Sequence, residues 1–137
     1  MKSWSLLLDW ERRRRRMIKL VYCVRKRGDI EAGAFYRYWL ENHGPLVKSF
    51  AETVKAVRYV QSHTILPEVN RSLMEGRGLK PPYEGITEIW WNSLEDLAAG
   101  YGTSEGAKAA EALQADESRF IDFSESRIFI TEEHEIF

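Results

Sequence analysis

The 137-residue sequence predicts one α+β domain, a four-stranded antiparallel sheet with its helices packed on one side. Three observations carry that expectation. Four segments, at 17–25, 55–66, 83–92 and 126–131, are rich in β-branched and apolar residues of strand type. Helical spacing fills the first and third intervals between them. The middle interval, 67–82, holds two glycines, three prolines and no period, so a long loop is expected there, either a lid or mobile.

In chain order, MIKLVYCVR (Met17 to Arg25) reads as a strand buried on at least one face, with Cys23 a buried strand residue rather than a reactive thiol. After a turn, Phe35, Tyr38, Trp39, Asn42 and His43 fall on one helical stripe. Gly44-Pro45 should end that helix, with a further turn open through Val47, Phe50 and Val54. KAVRYVQSHTIL alternates, placing Val57, Tyr59, Gln61, His63 and Ile65 on one side of a strand. YEGITEIWWN is the third strand. Ser93 with Asp96 resembles a capping box, so a short helix starts there, and Ser104 caps a second piece through Ala112. SRIFIT is the last strand, before an acidic tail. The order β-α-β-β-α-β is the ferredoxin-like arrangement. Its uncovered sheet face would carry Tyr22, Trp90 or Trp91, and Ile128 or Phe129. Two such faces meeting across a two-fold axis, as a homodimeric barrel, would bury them.

Composition narrows the function classes. Apolar residues at 44% and charged residues at 30% are ordinary for a globular domain, and aromatics at 12% suit an apolar pocket or an association surface. A single cysteine permits no internal disulfide, which points to the cytoplasm. No apolar run approaches the roughly 20 residues of a membrane span. Residues 1–16 sum to +4 and the remainder to −5. The chain therefore divides into an arginine-rich leader at 1–16, expected to be disordered, and a folded domain at 17–137. The acidic domain is a poor binder of phosphate backbones, so nucleic acid is not expected as a partner.

Few polar residues are placed for chemistry. There is no metal-ligand spacing, no phosphate loop and no nucleophile elbow. His43, on the stripe with Phe35 and Trp39, can look into an apolar cavity and move protons there. Its bland alternative is a histidine that caps helix carbonyls. His63 shares a strand face with Tyr59 and reaches either that cavity or the dimer seam. Phe35, Trp39 and Trp90 would be apolar walls around a small hydrophobic substrate. Tyr59 and Tyr22 are candidate donors to a substrate carbonyl, although buried tyrosines usually find an ordinary partner. Glu88, amid apolar neighbours, would pair with Arg58 or Arg25 across a seam. His134, in the acidic tail, is expected to be solvated.

Three elements in order, FYRYWLENHGPLV, YEGITEIWWNSLEDL and DESRFIDFSESRIFITEE, resemble the EthD-like family of dimeric α/β-barrel proteins. The resemblance spans Met17 to about Glu133. It implies ferredoxin-like protomers paired through their sheets, and it carries the histidine of the His-Gly-Pro element onto His43. Better understood relatives are cofactor-independent enzymes acting on hydrophobic, oxygenated ring compounds. They include lactone isomerases and polyketide dehydratases or decarboxylases, so no cofactor is expected. Non-catalytic ligand binding is the alternative. Because related barrels bind haem through a histidine, a haem protein with His43 or His63 as axial ligand is a further one.

Overall fold

The computed structural model describes residues 4–9, 12 and 17–137. Its elements are β1 (Ile18–Val24), α1 (Ala32–Tyr38), a π turn (Trp39–His43), α2 (Gly44–Phe50), β2 (Arg58–His63), α3 (Pro67–Glu75), β3 (Gly85–Trp91), α4 (Leu94–Tyr101), α5 (Ser104–Glu117) and β4 (Arg127–Glu132). All strand pairs are antiparallel, in the order β2-β3-β1-β4. This is the ferredoxin-like sheet, with helices on one face. Within the leader, residues 4–9 are helical and exposed, and all of the arginine run except Arg12 lies outside the described residues. No helix among the described residues is long and apolar enough to cross a membrane.

Register assigns the faces. Tyr22 lies opposite Thr87 and Ile128, and Leu20 lies opposite Ile89 and Ile130. Tyr59 lies opposite Ile89, so all of these share the helix-covered face. Of the residues expected on the bare face, Tyr22 is elsewhere: it points to the helix side, as do Trp91 and Ile128, the alternatives to Trp90 and Phe129. Trp91 is fully buried there and donates its Nε1–H to the Val54 carbonyl at 2.8 Å. Trp90 and Phe129 do point to the uncovered side, together with half-buried Val21, Cys23 and Val60. Burial pushes the Cys23 thiol up. Within its own sheet Glu88 pairs with Lys19 at 2.7 Å.

Val24, Phe35, Trp39, Phe120 and Ile121 form the core between β1, the helical hairpin and the segment after α5. Each such side chain contributes about 1.5–3 kcal/mol by leaving water. Trp39 and His43 are buried although Gly44-Pro45 was expected to end their helix. The helix instead runs on to Phe50, because the chain widens to a π turn just before Pro45, where the Gly44 N–H reaches the Trp39 carbonyl. A proline lacks an N–H and crowds the carbonyl four residues back. A π turn in front of it absorbs both defects, since the wider loop is already without one regular bond.

The interval 67–82 is likewise not a loop throughout. Leu66 turns left-handed at φ 57°, Pro67 takes the first helical turn, and α3 runs to a cap at Gly76. Proline at a helix start and glycine at its end are helix punctuation as well as loop punctuation. The helix after Ser93 starts as expected, with the Ser93 hydroxyl accepting from the Asp96 N–H at 3.1 Å. α5 is capped by Thr103, one residue earlier than expected, and extends to Glu117, five residues past Ala112. α4 and α5 cross without intervening side chains: a Cβ on Gly106 would fall inside the Gly100 carbonyl oxygen, and one on Gly100 inside the Val54 carbonyl.

That contact yields a measurable expectation. Gly106→Ala should cost about 1–3 kcal/mol in urea unfolding, the range for overpacking. Gly28→Ala, whose Cβ would meet nothing within 4 Å, should stay within about 0.5 kcal/mol of the parent.

Candidate functional site

Between the sheet and the helices lies a cavity of about 420 Å³. The sheet supplies Leu20 and Tyr22 from β1, Tyr59 from β2 and Thr87 and Ile89 from β3. The π turn supplies Trp39 and His43. From the far side come Tyr101 of α4 and Leu113, Gln114 and Glu117 of α5. Residues 123 and 126–128 frame the mouth. The volume and mostly apolar walls suit a small organic molecule.

His43 is 6% exposed. Its Nδ1 lies 2.8 Å from Asp116 Oδ2, while the Tyr38 hydroxyl donates to Oδ1 of the same carboxylate at 2.5 Å. Because a carboxylate only accepts, it takes the proton on Nδ1, leaving the Nε2 lone pair unshared. No buried side-chain nitrogen or oxygen among the described residues lacks a partner, and none of those residues bonds Nε2, so Nε2 is not sealed off, and His43 lines the cavity. Burial pushes the imidazole below its ordinary range, and Asp116 pulls part of the way back. At neutral pH His43 is thus an uncharged base held in one tautomer.

On the β2 side, the Gln61 amide joins three groups. Its Nε2 donates to the Trp39 carbonyl at 2.8 Å and to the Tyr59 hydroxyl at 2.7 Å, and its Oε1 meets His63 Nε2 at 2.8 Å. Tyr59 Oη accepts from Gln61, and Thr87 and Trp39 act on the same hydroxyl at the cavity wall. Burial pushes this phenol up, so it remains a donor at neutral pH. His63 stacks on Trp39, with centroids 4.5 Å apart and planes at 12°.

Glu117 occupies the α5 wall. It lines the cavity with Tyr22, and burial, with the neighbouring Asp116 charge, pushes its carboxyl up to about 7, Tyr22 acting in the opposite sense. Tyr22 is pushed up strongly in turn, first by its own burial and then by Glu117.

The structure brings together His43, Tyr59 and Trp39 on the cavity. His63 does not line it and acts behind Tyr59 through Gln61. Phe35 lies beneath Trp39 in the core, with rings 5.5 Å apart. Trp90 is on the opposite sheet face, capped by Arg58 at 4.6 Å and Lys19 at 5.4 Å, and cannot be a wall of this cavity. Asp116, Glu117, Tyr38 and Gln61 escaped assignment from the sequence. The signal for the first two was present: Leu113, Asp116, Glu117 and Phe120 fall at i, i+3, i+4 and i+7, one helical stripe. Among the described residues no cluster of His, Cys, Asp and Glu could hold a metal ion.

The Glu117 carboxyl also couples folding to pH. Its folded value, about 7, exceeds the ordinary 4.5, so the unfolded chain releases this proton first and stability falls as pH rises through that window. The depressed His43 acts in the opposite sense, losing stability as pH drops. Glu117→Gln should therefore stabilise the protein by about 1–3 kcal/mol at about pH 8 and hardly at all at about pH 4, as read by urea unfolding.

Comparison with known proteins now bears on this geometry. The sequence profile of the EthD domain matches residues 27–124. An EthD family protein from Bacillus halodurans superposes with a TM-score of 0.59 at 19% identity, covering 86% of this chain and 99% of that one. A hydroxynitrile lyase from Passiflora edulis gives 0.60 at 9% identity, covering 90% and 98%. SnoaB, a cofactor-independent oxygenase from Streptomyces nogalater, gives 0.51 at 12%, covering 88% and 95%. No curated protein matches the chain. These structures share its fold. With the family profile matched over most of the domain, the chain belongs to the EthD family.

Proposed function

We propose that the chain is a cofactor-independent enzyme that moves protons on a hydrophobic, oxygenated ring compound, in an isomerase, dehydratase or decarboxylase type of reaction. One observation carries this reading: a neutral histidine, fixed by a carboxylate on Nδ1, offers Nε2 to an apolar cavity. In the reaction Nε2 takes a proton from the carbon next to a carbonyl. The imidazolium so formed is stabilised by Asp116, and the Tyr59 hydroxyl donates to the developing enolate oxygen. His63 and Gln61 hold Tyr59 in place. Trp39 supplies an aromatic wall for the ring. The enzyme names carried by a lyase and an oxygenase of this fold agree with the reading.

The uncovered sheet face, with Val21, Cys23, Val60 and half-exposed Phe129, is the surface we assign to a second copy.

Native mass spectrometry of freshly purified protein comes first: a dimer carrying a small molecule is expected, and that mass identifies the substrate class. With the substrate in hand, His43→Ala should lower kcat by about 10²–10⁴-fold with little change in KM. A variant with full activity refutes the assignment. Tight binding without turnover, more sensitive to Trp39 than to His43, would mark a binding protein instead.

A further inference from the structure

The cavity contains a carboxyl that the His43 pair does not use. Glu117 is one residue from Asp116, yet adjacent helical positions point about 100° apart, and only Glu117 lines the cavity. Three tyrosines on three elements line the cavity with it: Tyr22 of β1, Tyr59 of β2 and Tyr101 of α4. Asp116 of its own helix is the one other charged group that acts on it. Arg127 reaches the mouth without forming an ion pair with it. A carboxylate here would be unpaired among apolar walls, which is costly. A carboxylic acid would be satisfied, accepting from Tyr22 and keeping one O–H to give.

Resting on the proton-transfer reading above, we infer that Glu117 is a second catalytic residue: a neutral acid whose O–H, beside that of Tyr59, binds the carbonyl oxygen of an uncharged cyclic ketone or enone. The C–H bond next to the carbonyl breaks, its proton passes to His43 Nε2, and the electron pair moves onto the carbonyl oxygen. Glu117 and Tyr59 then hold the enolate by hydrogen bonds. Return of the proton from His43 to the same or the conjugated carbon completes the cycle, with nothing consumed. Carboxyl groups held neutral by apolar sites serve elsewhere as such donors, and the upward shift of Glu117 to about 7 agrees. The pocket would reject carboxylate substrates, which the Asp116 charge repels.

The probe is 2-tetralone, an uncharged bicyclic ketone. Its affinity is read by Trp fluorescence, and its α-proton exchange in D₂O is followed by NMR. Because only protonated Glu117 donates, affinity should fall about tenfold between about pH 6 and about pH 8. Glu117→Gln, whose amide donates but never ionises, should keep the affinity of about pH 6 and lose its pH dependence. Glu117→Ala should slow exchange by about 10²-fold. His43→Ala should abolish exchange yet keep the pH-dependent affinity. Parent affinity that is absent at about pH 6 or flat to about pH 8 overturns the inference, as does unchanged exchange in Glu117→Ala. Unchanged exchange in His43→Ala sinks the proton-transfer reading alone, leaving Glu117 as a ligand-binding acid.

Discussion

The π turn in front of Pro45 is the constraint from which the site follows. Phe35, Trp39, His43 and Val47 are the buried residues of the long helix, and they recur every fourth position. In a regular α-helix a four-residue repeat drifts by about 40° per step, so three steps would carry Val47 about 120° away from Phe35. A turn with a wider loop rotates less per residue and takes back part of that drift. The aromatic core, the catalytic candidate and the apolar continuation thereby stay on one face. Pro45 keeps the turn in register, because an ordinary helical bond cannot form at that position. The widened turn also frees the Trp39 carbonyl to accept from Gln61 as well as from Gly44. The helix is thus tied to the edge strand that carries Tyr59.

Two neighbouring carboxylates show how position alone sets chemistry. Asp116 receives Tyr38 and His43 and approaches Arg119 at 3.8 Å, so its charge is distributed over donors. Glu117, a hundred degrees around the helix, meets phenols and apolar walls. Both lie at the C-terminal end of α5, where the helix dipole disfavours negative charge. The donors around Asp116 offset that disadvantage, and no comparable set faces Glu117.

Much of the fold was legible because strands and helices differ in period. Tyr59, Gln61 and His63 share a face in the structure as they do in the alternation, and Ser93 caps α4 as its spacing to Asp96 indicated. The errors have physical causes. Gly44-Pro45 resembles a terminator, but a π turn is written in hydrogen bonds and leaves no separate mark in residue type. Pro67 and Gly76 bracket a helix with no buried residue, and its terminal proline and glycine are the same residue types that punctuate loops. Trp90 and Trp91 are adjacent and chemically alike, and only register decides which of them faces the helices. His43 could be chosen from the sequence because histidine is rare here. Asp116 and Glu117 could not, because acidic residues are common and the stripe that selects them continues beyond Ala112, where the helix was expected to stop.

The close crossing of Gly100 and Gly106 has a geometric consequence at the other end of α5. From Gly106 to Asp116 the helix rises about 15 Å, so α5 is a lever with its fulcrum where backbone meets backbone. A tilt of only about 4° at that fulcrum would displace the two carboxylates by about 1 Å, enough to cost about a hundredfold in a positioned reaction. A missing methyl group far from the cavity therefore sets the aim of the groups inside it.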